Sequence, residues 1–365
     1  MFFSKRVILT PVILMRFSVK RMAAGWIAAA IFLSVPVQAS EPVIDAENAI
    51  LIDGQTRRVI FSKSPSERSL IASTTKIMTA LLVIEDCDLS AQVAVPQEAI
   101  DTEGSSMHLK LNEICSVEEL LYGLMLHSGN DSAVALAMYH SGSISSFAEK
   151  MNDKASELGL SNTHFKNPHG LDAEDHYSTA EDLAKLAAYA LDNPAFHRIV
   201  STKSIQLGDR TLRNHNKLLW QYPGAVGVKT GYTKAAGRIL VSAAERDGRR
   251  FVAVTINDRN DWEDHAKLLN YGFEQYHPRM IAFSGQTMET VPVLCGTENG
   301  QAALREEIWV SLADGEHVEL RLNLPPLVHA PVLAGDLAGS VLVMVDGVLV
   351  GEYPLYWRYS VFEEA

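Results

Sequence analysis

Residues 225–257 read AVGVKTGYTKAAGRILVSAAERDGRRFVAVTIN, and the fold of the chain is decided by this stretch. Runs of β-branched and other apolar residues predict three strands, at Ala225–Thr230, Arg238–Ala244 and Phe251–Asn257. Asp247-Gly248 is a turn dipeptide, so the second and third strands are expected to form a hairpin. The stretch therefore predicts three strands of an antiparallel sheet.

The sheet is expected to gain two more strands from the N-terminal part of the chain. Asp53-Gly54 predicts a turn between strands Ala49–Ile52 and Arg57–Phe61, and a helix, Asp261–Phe273, follows the last strand of residues 225–257. Apolar periodicity predicts helices in between, at Thr75–Glu85, across Val117–Tyr139 with a break at Ser128-Gly129-Asn130, at Ser145–Leu158 and at Thr179–Leu191. This order predicts an α/β (α+β) sandwich in which N- and C-terminal strands share one antiparallel sheet.

Beyond Pro278 the pattern changes to short β segments without a helix between them. They are Glu289–Leu294, Glu307–Leu312, Val318–Leu324, Val341–Val345 and Val348–Tyr353, the last two joined by Asp346-Gly347. We expect residues 279–358 to form a small all-β domain, followed by a tail, 359–365. Because this region holds no clustered nucleophile, base or metal ligand, its predicted role is structural or positioning.

The first 39 residues have the pattern of an export signal. Cationic residues precede an apolar run from Met22 to Val35, and Val37-Gln38-Ala39 has the small-x-small pattern that a signal peptidase cuts after. The run is short for a membrane span, although a retained N-terminal anchor stays open as the alternative. We expect an exported protein whose main domain covers residues 40–278, located in the periplasm or at the outer face of the cytoplasmic membrane.

Composition and charge limit the class of function. The 365 residues are 47% hydrophobic and 21% charged, which is typical of a soluble globular protein with enough chain for two domains. A formal net charge of -12 argues against nucleic acid as a partner. Three histidines, His164, His169 and His176, lie in a polar segment without the spacing of metal ligands, so we expect surface or loop histidines, no metal and no cofactor.

The three cysteines leave two alternatives open. Cys87 and Cys115 bracket two predicted strands, Gln92–Val95 and Met107–Ile114, whose antiparallel pairing would suit a disulfide in an oxidising compartment. The other alternative is that these two and Cys295 are all buried free thiols. No C-x-x-C pattern is present, so a redox or zinc role has no support.

Ser73-Thr74-Thr75-Lys76 places a serine and a lysine three apart at the start of a predicted helix. This spacing puts both side chains on one face, within reach of each other. A serine hydroxyl needs a base to take its proton, and a lysine can be that base if burial and neighbouring cations lower its pKa. An isolated S-x-x-K pattern is weak evidence, because a capping serine with a surface lysine explains an isolated occurrence better.

Two further motifs change that assessment. Ser128-Gly129-Asn130 lies at the break between two apolar helices, and Lys229-Thr230-Gly231 lies at the end of a predicted strand. Each has an ordinary structural explanation on its own, as a helix–helix turn and as a cationic edge strand with a turn glycine. Together with S-x-x-K, they occur once each in the order S-x-x-K, S-x-N, K-T-G, on helix start, inter-helix turn and strand end.

This arrangement resembles the penicillin-recognising serine enzymes, and among them the low-molecular-mass penicillin-binding proteins that are D-alanyl-D-alanine carboxypeptidases. The resemblance covers nearly the whole chain after the export signal and includes LHSGNDSA (126–133), KNPHGL (166–171), HYSTAEDL (176–183) and GVKTGYT (227–233). It implies the fold of the penicillin-binding and β-lactamase-like transpeptidase domain, with an antiparallel sheet and a helical subdomain, followed by the β domain.

The resemblance also implies roles for individual residues. Ser73 would be the nucleophile, Lys76 its general base, and Ser128 the relay that passes the proton to the leaving group. Asn130 would orient Lys76 and bind the substrate amide, while Lys229 and Thr230 hold the terminal carboxylate. The implied oxyanion hole consists of the backbone N–H groups of Ser73 and Tyr232, and Gly231 would let the strand approach the substrate.

The implied substrate is a peptidoglycan stem pentapeptide, and β-lactams would be covalent inhibitors. A D,D-endopeptidase that cleaves cross-links uses the same motifs and stays open, as does a non-catalytic cell-wall scaffold. A β-lactamase is less well supported, because residues 150–180 lack an E-x-x-L-N run. Peripheral membrane contact is also open: the aromatic residues Tyr356, Trp357 and Tyr359 would either dip into a membrane interface or pack as a last strand.

Overall fold

The computed structural model describes residues 6–7 and 40–364. They divide into an α+β unit, Pro42–Tyr276, and a β unit that begins at His277 and includes the short strand Arg6–Val7. Apart from that strand, the expected export signal, residues 1–39, lies outside the described residues. No helix in the described part of the chain has the length and apolar composition needed to cross a membrane.

The strands of both units are numbered along the chain from β1 (Arg6–Val7). Those of the α+β unit are β2 (Asn48–Asp53), β3 (Val59–Lys63), β4 (Gln92–Ala94), β5 (Ile114–Ser116), β6 (Ser204–Leu207), β7 (Arg210–Arg213), β8 (Ala225–Thr233), β9 (Gly237–Arg246) and β10 (Arg249–Ile256). Its helices are a 3₁₀ turn (Ala72–Thr75), α1 (Lys76–Asp86), α2 (Gln97–Ile100), α3 (Val117–Leu126), α4 (Asn130–Ser141), α5 (Ile144–Glu157), α6 (Ala180–Ala190), α7 (Pro194–Ser201), α8 (Leu218–Gln221) and α9 (Asp261–Gln275).

The main sheet is antiparallel and has the order β3-β2-β10-β9-β8, so strands from the two ends of the unit meet where β2 pairs with β10. This confirms the shared sheet expected from the sequence. Successive side chains of a strand lie on opposite faces of the sheet. Ile50 and Ile52 pack in the core formed with the helical region, whereas Leu51 and Phe251, on the other face, lie next to Gly272 of α9. The edge strand β8 continues beyond the predicted Thr230 to Thr233, because it remains paired with β9.

The predicted break in the long apolar segment separates α3 from α4. Helix α3 begins with a capping box in which the Ser116 hydroxyl accepts from the Glu119 backbone N–H at 3.1 Å and the Glu119 carboxylate accepts from the Ser116 N–H at 2.7 Å. Ser128, in the turn, has a left-handed backbone with φ 62°. The two helices therefore meet at a sharp turn that has a small, buried polar residue, Ser128, at its corner.

The cysteines agree with the free-thiol alternative left by the sequence, although only one of the three is buried. All three are free thiols: Cys115 is buried, Cys87 is half-buried and Cys295 is exposed. The two expected strands pair antiparallel as β4 and β5, although β5 begins at the end of the expected Met107–Ile114 segment. Cys115 itself lies in β5 opposite Val93, with its thiol 3.8 Å from a Glu113 carboxylate oxygen, and no Cys87–Cys115 disulfide is formed.

From His277 onward, every regular element that the structure describes is a β-strand. They are β11 (His277–Ala282), β12 (Thr287–Val291), β13 (Val293–Leu294), β14 (Gly300–Ala303), β15 (Ile308–Leu312), β16 (Val318–Asn323), β17 (Val328–His329), β18 (Leu337–Val345) and β19 (Val348–Trp357). The largest sheet has the order β1-β16-β18-β19-β14-β12. Strands β11, β14 and β17 were not predicted, since none of them has an uninterrupted apolar run.

The aromatic residues near the C-terminus are part of this unit. Tyr356 and Trp357 end β19, where Trp357 is buried in the core and the Arg305 guanidinium lies 3.8 Å from the Tyr356 ring centroid. The alternative in which all three aromatics enter a membrane interface is therefore wrong for Trp357. Tyr359 follows the strand and is 53% exposed.

Candidate active site

Ser73 and Lys76 lie where the 3₁₀ turn Ala72–Thr75 leads into α1. The Lys76 Nζ is 3.1 Å from the Ser73 Oγ. Lys76 is fully buried, whereas Ser73 is partly exposed and lines an open cleft. The arrangement places an amine within hydrogen-bond distance of a hydroxyl that a ligand can reach.

Two oxygen atoms from distant parts of the chain fix the amine of Lys76. It donates to the Asn130 side-chain oxygen at 2.7 Å and to the His169 backbone oxygen at 2.6 Å. Asn130 is the first residue of α4, and its side-chain nitrogen donates to the Glu103 backbone oxygen at 2.7 Å. Asn130 thus cannot turn away from Lys76 without breaking a second hydrogen bond.

Two buried lysines set the electrostatics of the cluster. Burial, and then the positive charge of Lys229, hold the pKa of Lys76 well below its usual value, while the nearby Asp131 opposes the shift. Burial alone lowers the pKa of Lys229 to about 7. Among the described residues, no carboxylate lies within ion-pair distance of either amine, so the neutral form of each is favoured more than on a protein surface.

Asp131 stabilises the turn that carries Ser128 and Asn130. Its buried carboxylate accepts from the Ser106 hydroxyl at 2.6 Å and from the backbone N–H groups of Met107 at 3.1 Å and Leu109 at 3.2 Å. Residues 106–109 are therefore tied to the start of α4. Sequence analysis did not identify this aspartate, although its place directly after Asn130 was a usable signal.

The edge strand β8 forms the other wall. Lys229 is buried and donates to the Thr230 backbone oxygen at 3.0 Å, Thr230 lines the cleft, and Tyr232 is 65% exposed. A Cβ on Gly231 would lie 3.3 Å from the Ser73 backbone nitrogen and 3.2 Å from the Ile71 oxygen. Glycine at 231 therefore lets the strand approach the backbone of the serine.

The cleft has a volume of about 440 Å³. Its lining includes residues that sequence analysis predicted: Ser73, Ser128, Thr230, Gly231 and Tyr232. It also includes residues that sequence analysis did not identify as part of a site: Ser105, His215, Arg238, Ile239, Asp261 and Trp262. Arg238 and Asp261 form an ion pair at 2.7 Å. Among the described residues, no group of three histidines, cysteines or carboxylates is placed to hold a metal ion.

The segment KNPHGL (166–171) is the main feature of the site to which sequence analysis assigned no role. His169 and His176 lie in loop segments, one of the two expected settings, but both are buried, and burial lowers their pKa values to about 3 and about 4. The His176 ring joins the Thr75 hydroxyl, at 2.8 Å, to the Lys166 backbone N–H, at 3.1 Å. The spacings of five and seven residues between His164, His169 and His176 gave no indication of these contacts, because the contacts depend on the fold of the whole segment.

Gly170 allows this segment to reach α1. Its φ is +89°, and a Cβ there would lie 1.8 Å from the Ala72 backbone oxygen. The Thr79 hydroxyl donates to the Pro168 oxygen at 2.6 Å, and the Asn167 side-chain oxygen accepts from the Gly170 N–H at 2.7 Å. These contacts present the His169 oxygen to Lys76.

Comparisons with known proteins agree on one family. The family model described as D-alanyl-D-alanine carboxypeptidase matches residues 35–260. The chain is 35% identical over 333 residues to D-alanyl-D-alanine carboxypeptidase DacF of Bacillus subtilis, covering 87% of this chain and 86% of the relative. It is 32% identical over 352 residues to DacD of Escherichia coli, covering 90% of each.

Solved structures give the same result for the fold. Penicillin binding protein 5 from Haemophilus influenzae superposes with a TM-score of 0.77 and 28% sequence identity, covering 89% of this chain and 100% of that one. The expected penicillin-binding fold followed by a β domain is thereby confirmed. The likeness extends beyond the α+β unit, because that unit alone is a smaller share of the chain.

Proposed function

The chain belongs to the D-alanyl-D-alanine carboxypeptidase family, and from that premise we propose which of its residues carry the reaction. It is a serine-type D-Ala-D-Ala carboxypeptidase of cell-wall metabolism, with a peptidoglycan peptide as substrate and β-lactams as ligands. The observation that carries the assignment of residues is the 3.1 Å contact between the Lys76 amine and the Ser73 hydroxyl in a buried, polar cluster.

Ser73 is the proposed nucleophile and Lys76 its general base. A neutral Lys76 takes the proton from Ser73 Oγ as that oxygen attacks the carbonyl carbon of the penultimate D-alanine. The lowered pKa of Lys76 supports this role, since an ordinary lysine would be protonated at neutral pH. Asn130 holds the base in place by its 2.7 Å contact.

The negative charge on the carbonyl oxygen is assigned to the backbone N–H groups of Ser73 and Tyr232. The close approach of Gly231 to the Ser73 nitrogen supports this assignment, because it brings the edge of β8 beside the serine backbone. Ser128 lines the same cleft and passes a proton to the leaving nitrogen as the C–N bond breaks. Water then hydrolyses the ester at Ser73 and regenerates the hydroxyl.

Lys229 and Thr230 are proposed to hold the carboxylate of the terminal D-alanine. A protonated lysine and a hydroxyl suit an anion, and Thr230 is accessible in the cleft. In the substrate complex the carboxylate would favour the protonated form of Lys229, offsetting the effect of burial on its pKa. The same pair of groups would bind the carboxylate of a β-lactam.

For domains and location we propose residues 40–278 as the catalytic domain, 279–358 as a positioning β domain and 359–365 as a tail. We propose export by a signal at residues 1–39 to the periplasm or the outer face of the cytoplasmic membrane. The cationic and apolar pattern of the signal supports export. The intact cluster around Ser73 argues against a non-catalytic scaffold.

The direct test is release of D-alanine from a diacyl-Lys-D-Ala-D-Ala peptide by the purified protein, next to a Ser73→Ala variant. We expect release by the wild type only. Release by the variant at the wild-type rate would overturn the role of Ser73, and labelling by penicillin without release would overturn the pentapeptide as substrate.

A further inference from the structure

Loop 101–113, between α2 and β5, lies against the turn that carries Asn130. The Asn130 backbone N–H donates to the Ser105 oxygen at 2.7 Å, and the Asn130 side-chain nitrogen donates to the Glu103 oxygen at 2.7 Å. Ser105 also lines the cleft. The loop therefore fixes the backbone and the side chain of the residue whose amide oxygen accepts from the Lys76 amine.

The inner part of this loop is packed, whereas its outer part is exposed. Met107 and Leu109 are buried in the core formed with the helical region, and their backbone N–H groups donate to the Asp131 carboxylate. His108 and residues 110–112 are exposed. Since the loop contains neither helix nor strand, contacts with neighbouring elements decide where its outer part lies.

Arg210, the first residue of β7, holds the loop at two points. Its guanidinium donates to both carboxylate oxygens of Glu113, at 2.5 Å and 2.8 Å, and to the His108 backbone oxygen at 2.9 Å. Paired donation by a planar guanidinium fixes orientation as well as distance. One side chain therefore joins the middle of the loop to the end at which it meets β5.

The hairpin that carries Arg210 is itself fixed beside the cleft. Strands β6 and β7 pair antiparallel along their length. Directly after β7, the Asn214 side-chain nitrogen donates to the Val200 oxygen at 3.1 Å, and the His215 N–H donates to the Leu126 oxygen at 3.1 Å. The hairpin is therefore tied to the ends of α7 and α3, which gives Arg210 a fixed base from which to hold the loop.

The pair of Arg210 and Glu113 lies outside the reaction site. Neither residue is among the described residues that line the cleft, and their side chains are 26% and 24% exposed. The hydrogen bonds from the guanidinium, as the largest influence, lower the pKa of the Glu113 carboxyl, so the pair is ionised at neutral pH. An ion pair with this exposure contributes little to the stability of the fold, so any effect on the reaction must pass through the loop.

We propose that Arg210 is a positioning residue for the acylation step, because it holds loop 101–113 on the turn that carries Asn130. This inference rests on the proposed role of Lys76 as the base. With the loop displaced, Asn130 loses the acceptors of its backbone and side-chain N–H groups and is free to turn away from Lys76. Water then also reaches the Lys76 amine.

Displacement of the loop has a distinct effect on the protonation of Lys76. The titratable groups that face its amine are Lys229 from β8, Asp131 from α4 and His169 from residues 166–171. Burial lowers the pKa of Lys76 more than the charge of Lys229 does, so admission of water should raise that pKa toward its usual value. A variant that is merely less stable would have a smaller active fraction with the same pH dependence.

The test measures the rate of acylation of Ser73 by penicillin as a function of pH, for the full-length wild type and for Arg210→Ala. We expect the variant to react about tenfold more slowly, the size of effect usual for residues that act through a packed network. The acid-side decrease of its rate should move to higher pH by about one unit. Its melting temperature should stay close to that of the wild type, because the ion pair is partly exposed.

The β unit offers a matched control for loss of a paired arginine. The Arg321 guanidinium, also partly exposed, donates to both carboxylate oxygens of Glu319 at 3.0 Å and 3.1 Å. Arg321→Ala should change neither the acylation rate nor its pH profile. In Arg210→Ala, by contrast, hydrogen exchange of the Met107 and Leu109 N–H groups should be faster than in the wild type.

Two milder variants carry the test if Arg210→Ala does not fold. Arg210→Lys keeps the charge but loses the paired donation, so we expect it to recover only part of the wild-type rate. Glu113→Gln should slow acylation in the same direction. Arg210→Lys in the Glu113→Gln background should then add less than it does alone, because the two residues act as a unit.

The outcomes separate this inference from the proposed function. A slower rate with an unchanged pH profile would indicate a structural role only and overturn the inference, as would a wild-type rate in Arg210→Ala. Either result would leave the roles of Ser73 and Lys76 intact. Failure of the wild type to form an adduct at Ser73 would overturn the proposed function, and this inference with it.

Discussion

The α+β unit and the β unit both enclose apolar cores, but they differ in the polar groups buried. The α+β unit buries Lys76, Lys229, Asn130 and Asp131 around one cleft, together with neutral His169. Within the described residues of the β unit, the buried polar side chains are Ser311 and Ser340. Burying ionisable groups without ion pairs lowers the stability of the fold. A cluster of such groups around one cleft is therefore typical of an active site.

If the chemistry depends on the buried polar groups of the α+β unit, the largest effect on the acylation rate is expected from a substitution at Lys76. Replacing Lys76 with alanine removes the base and should slow acylation of Ser73 by penicillin about 10³-fold, the usual range for general base catalysis. Stopped-flow or gel-based labelling measures this rate, with Lys150→Ala as the control for an exposed lysine. A rate within threefold of the wild type would contradict the assignment of the base.

Gly170 should give the next largest effect. Gly170→Ala brings a Cβ within 1.8 Å of the Ala72 oxygen, so the segment must move and the His169 oxygen leaves Lys76. We expect about a 100-fold slower acylation, as for other misplacements of about 1 Å at an active site.

Gly142 is a matched control, because it also has a left-handed backbone, φ +73°, but has open space around its Cβ position. Gly142→Ala should leave acylation unchanged. If Gly170→Ala does not fold, Thr79→Val removes the 2.6 Å bond to the Pro168 oxygen and should slow acylation in the same direction. Equal rates in Thr79→Val and wild type would refute the positioning role of this segment.

The pH profile of kcat/KM should show the two buried lysines separately. At low pH the rate falls because Lys76 takes up a proton and stops acting as a base. At pH above about 7 it falls because Lys229 loses the proton that binds the carboxylate. Lys229→Arg stays protonated, so the alkaline decrease should disappear in that variant; an unchanged alkaline limb would assign it to another group.

The smallest effect on chemistry is expected from the β unit. Val343→Ala removes two buried methyl groups and should destabilise the protein by roughly 2 kcal/mol. Its acylation rate below the melting temperature should match that of the wild type. Calorimetry measures the change in stability, and penicillin labelling measures the acylation rate. Val348→Ala, at an exposed valine, is the control that should change neither. Slower acylation in Val343→Ala alone would tie the β unit to the chemistry.

The sequence predicted those parts of the structure that depend on local pattern. Strand runs at residues 225–257 and the break at Ser128 are encoded by neighbouring residues, and the helix start places Lys76 beside Ser73. The ordered set of three motifs then indicated which of these features carry chemistry.

Other parts were not predictable because they depend on contacts between distant segments. The His169 oxygen reaches Lys76 across 93 positions, and its approach requires Gly170 to pass the Ala72 carbonyl. The hairpin of β6 and β7 is short, and a groove lined by His127, Arg213 and Lys217 forms only when the segment after β7 is brought next to the end of α3. The periodicity of apolar residues within a segment does not predict contacts between segments that are distant in sequence.

The central claim is that Ser73 is the nucleophile and that a neutral Lys76 activates it. The most direct measurement is mass spectrometric mapping of the penicillin adduct on the intact protein and its proteolytic peptides, for the wild type and for Lys76→Ala. We predict one adduct, on the peptide that contains Ser73, formed rapidly by the wild type and about 10³-fold more slowly by the variant. An adduct on another residue, or equal rates in the two proteins, would contradict the account.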